Sequence, residues 1–161
     1  MAQNITYNSV VAAKFIAAKL KEKGRDVNIT KIQKLLYVAY GLYLAVFDVR
    51  FVDEHPQAWP YGPVFPTTRN KLCKDETLAA ISLQDPDLEA IIDDAQVNAL
   101  FESIYSVMGD WTASQLVEWS HQPDSPWDYC TRMEGFKWGT QMDDNLIKLY
   151  FNSLLIKDRP V

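Results

Sequence analysis

The chain has 161 residues, of which 48% are hydrophobic and 23% charged, a length and composition typical of one globular domain that needs no disulfide or metal staple. Its 2 cysteines, Cys73 and Cys130, exclude a disulfide framework. No signal-like N-terminus and no apolar run of the ~20 residues that span a bilayer is present, so we expect a cytoplasmic protein without membrane contact. The net charge is −5, but the charges are unevenly distributed along the chain. Residues 75–131 carry 12 acidic side chains and no Lys or Arg, so this segment would repel nucleic acid.

The first third of the chain predicts two helices. Residues 8–24 have an apolar stripe that follows polar cap candidates and ends at Gly24. Residues 30–47 repeat apolar side chains at helical spacing over their whole length, and Thr30 with Gln33 has the pattern of a capping box. We expect this second helix to be central and the most buried element of the fold.

The helical period breaks between the second helix and residue 63. Residues 49–51 and the region around Gln57 and Trp59 predict two short extended segments, which could pair as a small hairpin. Proline is favoured at the first position of a helix, so the next helix is expected to begin at Pro63 and to end near Leu72.

The second half of the chain is again mostly helical. Residues 74–92, which Pro86 interrupts, are expected to form a loop or irregular link. Asp94 is a cap candidate, and Thr112 with Gln115 forms a second capping-box pattern. The predicted helices cover residues 94–109, 112–122, 127–133 and 140–153.

These elements predict a mainly α fold. We expect one compact domain over residues 1–161, with five to seven helices and at most a small two- or three-stranded β element around residues 50–59.

Catalytic, cofactor and metal motifs are not recognisable in the sequence. His55 and His121 are the only histidines, and neither has a second histidine or a cysteine at helical ligand spacing. Zinc motifs, phosphate-binding loops, dinucleotide fingerprints and nucleophile elbows are missing as well. We therefore predict no catalytic, cofactor-binding or metal-binding residues and no enzymatic activity. An enzyme that uses unmarked carboxylates remains the less favoured alternative.

The segment QAWPYGPVF, residues 57–65, is the most unusual local pattern. Each of two prolines restricts the residue before it, so the run from Trp59 to Pro63 is expected to be stiff and extended, with Gly62 allowing a close backbone approach. Two interpretations stay open: a purely structural corner, or a corner beside a groove for a partner or ligand. Trp59, Trp119 and Trp127 are expected in the core, whereas Trp111 and Trp138 could be buried or exposed.

The uneven charge distribution also has two interpretations. Residues 1–74 carry 11 basic and 5 acidic side chains, so they could compensate the acidic middle segment across the fold. Alternatively, the acidic segment could meet a basic protein partner. Three acidic residues are candidates for such a contact: Asp85, Asp87 and Glu89.

Four blocks in order carry a resemblance to a known family. They read ITKIQKLLYVAYGLYLA, QAWPYGPVFPTTRNKL, TASQLVEWSHQPDSPW and DDNLIKLYF. Together they resemble the Panacea domain of SocA-like and GepA-like phage-associated proteins over residues 7–151. The motif residues, structural or partner-facing, are Trp59, Tyr61, Gly62, Pro63, Val64, Trp119 and Trp127.

The resemblance implies an antitoxin of a toxin–antitoxin pair. Domains of this family neutralise protein toxins encoded beside them, usually by direct binding, and the implied partner is a cognate toxin that we expect to have a basic surface. A member can instead act as an adaptor that delivers its toxin to a protease, and this is the alternative here. Some relatives carry an added DNA-binding domain, and we expect none within these 161 residues. No cofactor is implied, and the oligomeric state is not predicted.

Overall fold

The structure, a computed structural model, describes residues 5–157 and the side chains up to residue 155. This part of the chain contains nine α-helices, one short 3₁₀ turn at Pro86–Leu88, and a single two-stranded antiparallel sheet. The strands are β1, Gln57–Trp59, and β2, Gly62–Val64. The helices are α1 Ser9–Glu22, α2 Ile29–Phe47, α3 Pro66–Leu72, α4 Asp75–Ala80, α5 Glu89–Ile92, α6 Ala95–Met108, α7 Ala113–Ser120, α8 Pro126–Arg132 and α9 Asp144–Lys157. The predicted mainly α class is confirmed.

Helix α2 is the centre of the fold. It packs against α1, α3, α6, α7, α9 and β2, and residues 31–40 are all buried. Its apolar side chains extend around most of the helix, which is why neighbouring helices can cover it from several sides. Helix α2 has the largest buried share of the described helices, as expected, although the short strand β2 is buried throughout. None of the described helices has the length and apolar character required to cross a membrane.

The predicted capping box at the start of α2 is wrong. Asn28 is the N-cap residue, and its side chain accepts a hydrogen bond from the backbone N–H of Lys31 at 2.8 Å. Thr30 lies inside the helix. Gln33 is turned inward, where its Oε1 accepts from the backbone N–H of Phe65 at 2.7 Å. The local pattern predicted that the Gln33 side chain would cap the helix, but this side chain makes a tertiary hydrogen bond instead.

The region between α2 and α3 differs from the prediction in its pairing. A hairpin forms, but its second strand is Gly62–Val64 and not the segment around Phe51. Phe51 instead accepts a backbone hydrogen bond from Tyr7, and Val52 makes a parallel bridge with the same residue. Pro63 consequently lies in a strand, and α3 begins at Pro66, where a proline is equally compatible with the first turn.

Residues 74–92 are not the expected loop. They form α4, the 3₁₀ turn and α5, which raise the helix count of the described residues to nine, above the predicted five to seven. Buried apolar residues hold these short helices in place: Leu78, Ile81, Leu88 and Ile91. Helices of only 4 to 6 residues are too short to show a reliable period in the sequence.

The helix signals in the second half are mostly correct. Asp94 caps α6 by accepting from the N–H of Val97 at 3.1 Å. Thr112 and Gln115 form the predicted reciprocal capping box at the start of α7. Helix α9 closes the domain by packing along α2, where the Phe151 ring meets Tyr37 edge-on at 5.6 Å between centroids.

Candidate functional site

The hairpin tip is the most exposed aromatic feature of the described chain. Trp59 pairs with Gly62, so Pro60 and Tyr61 form a two-residue turn, and Gly62 has a φ of +109°. Such a φ is readily adopted only by glycine. Tyr61 is 74% exposed although both strands beside it are largely covered. The prediction that the run from Trp59 to Pro63 is extended is therefore wrong at Pro60 and Tyr61, because the chain reverses there in a tight hairpin that presents one tyrosine ring to solvent.

The proline content of the hairpin does not weaken it. Pro63 has no N–H to offer Ala58, its partner across the ladder. Ala58 turns its N–H and C=O to the other side, where they bond to Thr140 and Gly139, both at 2.9 Å. The tip is therefore supported from outside by the loop before α9 as well as by its own second strand.

A buried lysine supports the hairpin from below. Lys34 of α2 is 1% exposed and its Nζ donates to the backbone carbonyl of Pro63 at 2.9 Å. Burial lowers the pKa of the Lys34 ammonium to about 8, so that it is still mostly charged at neutral pH. No carboxylate of the described residues forms an ion pair with it. The base of the hairpin therefore carries an uncompensated positive charge.

Two depressions flank the Tyr61 ring. The first, which we call the Arg69 cleft, has a volume of about 440 Å³ and lies between the hairpin, α2 and α3. Its walls include Lys34, Trp59, Tyr61 and Arg69. The second depression, about 630 Å³, separates Tyr61 from α7 and is lined by Glu118 and His121 among others.

A row of stacked rings continues from the second depression. The His121 ring stacks on Trp127 with centroids 3.8 Å apart, and Trp138 lies 6.3 Å from Trp127. The Trp127 indole N–H donates to the backbone carbonyl of Trp59 at 2.8 Å, which fixes the row to the hairpin. Trp138 at the outer end is 57% exposed.

The inner histidine of this row is held neutral. The Nε2 atom of His121 is buried and has no hydrogen-bond partner among the described residues. Burial and the nearby Lys34 charge lower the pKa of the His121 imidazole. The ring consequently contributes packing to the row and adds no charge to the second depression near neutral pH.

Most of the motif residues predicted from the sequence come together at this place. Trp59, Tyr61, Gly62, Pro63, Val64 and Trp127 all belong to the hairpin or contact it. Trp119 does not: its ring packs against Tyr37 and Phe151 and lines a separate apolar groove between α6 and α9.

Three functional candidates were missed by the sequence analysis: Lys34, Arg69 and His121. Only Lys34 left a signal in the sequence, because it is a charged residue among the apolar positions of the most hydrophobic helix. Arg69 and His121 look like ordinary surface residues until the fold places them beside Tyr61.

The acidic candidates lie on another part of the domain, where the 3₁₀ turn and α5 pack against α1. Asp85 is already engaged: it pairs with Lys14 at 3.3 Å and caps the N–H of Asp87, and these contacts lower the pKa of its carboxyl. Asp87 and Glu89 are exposed. Within the described chain, two further pairs link the basic first third to the acidic middle, Lys23 with Glu102 and Arg25 with Asp110. The charge asymmetry is thus compensated in part across the fold.

One polar cluster outside the hairpin resembles a catalytic constellation in its residue types. The Tyr40 hydroxyl donates to Asp144, and Arg50 lies 2.9 Å from the Nε2 of His55. The His55 ring is also close to Tyr40 and to Asp144. Burial raises the pKa of the Tyr40 hydroxyl, which makes it a poorer acid and a poorer source of a nucleophilic phenolate. The contacts connect α2, the loop before β1 and the first turn of α9. We therefore interpret the cluster as a structural one that holds these three segments together.

The arrangement defines a small helical domain whose exposed, pre-formed feature is an aromatic hairpin tip between open depressions. This geometry is typical of protein-binding domains, whose contact surfaces favour Tyr, Trp and Arg. The chain belongs to the family described as antitoxin SocA-like, Panacea domain, whose model matches residues 32–128. That match contains the hairpin, the acidic candidates, α7 and Trp127, and it confirms the resemblance identified from the four sequence blocks.

A curated relative agrees with the family assignment. The chain is 28% identical over 156 residues to the Antitoxin SocA of Caulobacter vibrioides (strain NA1000 / CB15N), an alignment that covers 86% of this chain and 81% of that protein. No solved structure matches the chain significantly. Membership places the protein among antitoxin-like domains.

Proposed function

We propose that this protein is an antitoxin that neutralises a protein toxin encoded beside it, through a direct stoichiometric complex and without turnover. The family membership supports the antitoxin role. The single structural observation that supports binding is Tyr61, which is 74% exposed at the tip of a hairpin that is otherwise fixed on both sides.

We propose that the toxin contacts the hairpin-tip surface, which we define as Trp59, Tyr61, Arg69, His121 and Trp138. Four of these five residues are Trp, Tyr or Arg, the types enriched among the contacts that supply most of the binding energy at protein interfaces. A rigid tip loses little conformational entropy when it is bound, so more of the contact energy is available as affinity. The alternative, an adaptor that delivers the toxin to a protease, would use the same surface and differ in the fate of the toxin.

Tyr61→Ala is expected to weaken toxin binding by about 10- to 100-fold, the loss associated with truncation of a central aromatic contact. Its stability should stay within ~0.5 kcal/mol of the wild type because the side chain is exposed. The product of the adjacent gene, purified, is titrated with each variant by calorimetry, and growth is scored during co-expression. Leu149→Ala, which removes an exposed side chain on α9, is the control and should bind normally.

Three results would contradict parts of the proposal in different ways. Normal binding by Tyr61→Ala would remove the hairpin tip from the contact surface. If wild-type protein shortens the lifetime of the toxin in cells, and this depends on a protease, the adaptor alternative is favoured. If the wild type neither binds nor rescues cells from the product of any adjacent gene, the antitoxin proposal fails.

Charge reversal of two exposed acidic residues tests the basic-surface hypothesis. Asp87→Lys with Glu89→Lys is expected to slow association by about 3- to 10-fold at low salt, and added salt should reduce both the wild-type rate and this difference. Asp85 stays unchanged because it pairs with Lys14 and caps the 3₁₀ turn. The neutral pair Asp87→Asn with Glu89→Gln should have an intermediate rate. Rates independent of charge and salt would refute the electrostatic contribution and leave the antitoxin proposal intact.

A further inference from the structure

We propose that the Arg69 cleft accepts the carboxylate of an acidic side chain of the toxin, which Arg69 binds while Tyr61 packs beside it. This inference rests on the proposed function and names the chemistry of one contact. It adds to the hypothesis of a basic toxin surface the requirement for one acidic residue at a defined place.

Arg69 is pre-arranged for such a contact. Its guanidinium lies over the Trp59 ring, 5.4 Å from the centroid, in a cation–π arrangement that limits the motion of an otherwise flexible side chain. Arg69 is exposed, and no hydrogen bond or ion pair engages its guanidinium within residues 5–155. A stacked guanidinium still offers N–H donors along its edge, and a carboxylate matches that edge with two parallel bonds.

The charge of the cleft favours an anion. Its lining contains the cations Arg69 and Lys34 and no carboxylate, whereas the second depression beside Tyr61 includes Glu118. Lys34 is too well covered to make the contact itself. Its uncompensated charge under the hairpin nevertheless adds positive potential, which is weakly screened because the ammonium is buried.

A single protein carboxylate fits this site better than a polyanion does. The domain has a net charge of −5, and residues 75–131 contain no Lys or Arg. A nucleic acid would meet repulsion away from the cleft, because phosphates follow one another at short intervals along the backbone. One acidic side chain on a folded partner brings only a local charge.

The test compares Arg69→Glu with Lys71→Glu, which makes the same charge change two residues further along α3 at another exposed position. Affinity for the purified product of the adjacent gene is measured by calorimetry, and urea unfolding verifies that each variant is folded. Arg69→Glu should bind on the order of 100-fold more weakly, and Arg69→Gln about 10-fold, whereas Lys71→Glu should change affinity less than about threefold.

A charge swap identifies the bound group. Each surface Asp and Glu of the toxin is changed to Arg, and one of these variants is expected to restore most of the affinity of Arg69→Glu. If Arg69→Glu binds normally while Tyr61→Ala binds weakly, the cleft inference is wrong and the antitoxin proposal stands. If Arg69→Glu binds weakly and no toxin variant restores it, a carboxylate is not the occupant. If the wild type binds no adjacent product, the proposed function itself fails.

Discussion

Gly62→Val is expected to lower the free energy of unfolding by at least about 3 kcal/mol, because it combines backbone strain with a collision. The φ of Gly62, +109°, is one that a β-branched residue rarely adopts. A Cβ at this position would lie 2.5 Å from the Ser120 Oγ and 2.8 Å from the Lys34 Cε. Moving Lys34 aside would also break its bond to the Pro63 carbonyl, leaving a buried acceptor without a donor.

Urea unfolding of Gly62→Val beside Gly135→Val separates the two causes. Gly135 also has a positive φ, +79°, but nothing lies within 4 Å of a Cβ built there. Gly135→Val should therefore show the strain without the collision and lose about 1–2 kcal/mol. A Gly62→Val protein of wild-type stability that no longer binds toxin would show that the hairpin corner acts as a contact first and as structure second.

Gly41→Ala is expected to destabilise the protein by about 2 kcal/mol, although helix propensity alone predicts a gain of about 1 kcal/mol in the interior of a helix. Gly41 lies in the middle of α2, at the place where α9 crosses it. A Cβ there would run into the Phe151 ring, which is itself 1% exposed and packed against Tyr37 and Trp119. The ring cannot move without disturbing both neighbours.

A double-mutant cycle in thermal or urea unfolding checks the cause of this loss. Phe151→Leu leaves a space that an added methyl group can enter, so Gly41→Ala should cost less in the Phe151→Leu background than in the wild type, by about 1 kcal/mol or more. If Gly41→Ala alone raises stability, α9 does not approach α2 as closely as the structure indicates.

Sequence reasoning was most successful for long, strongly patterned helices. The apolar period of α2 and of α6 was visible because each helix repeats its buried positions over 14 residues or more. The capping signals at Asp94 and Thr112 were correct because their hydrogen bonds join residues only three positions apart. Such features depend on neighbours in the chain, and the sequence contains them directly.

The errors occur where a distant partner decides the structure. Gln33 left its predicted capping role for the backbone of Phe65, 32 residues away. Phe51 left the predicted hairpin because Tyr7 and Val52 pair across 45 positions, and the short helices within residues 74–92 exist because α1 and its neighbours cover their apolar side chains. Local propensity was weak in each case, so a tertiary contact of modest strength was sufficient to override it.

The sequence by itself determined the mainly α class, the central position of α2, the presence of a corner at Trp59–Pro63 and the resemblance to the Panacea family. Only the tertiary structure decided which residues surround that corner. Lys34 reaches the hairpin from α2, Arg69 from α3 and Trp127 from α8, over separations of up to 68 positions. A candidate site of this kind is assembled by the packing of elements that are individually ordinary, because surface chemistry depends on distances in space and a single sequence records only the order of residues along the chain.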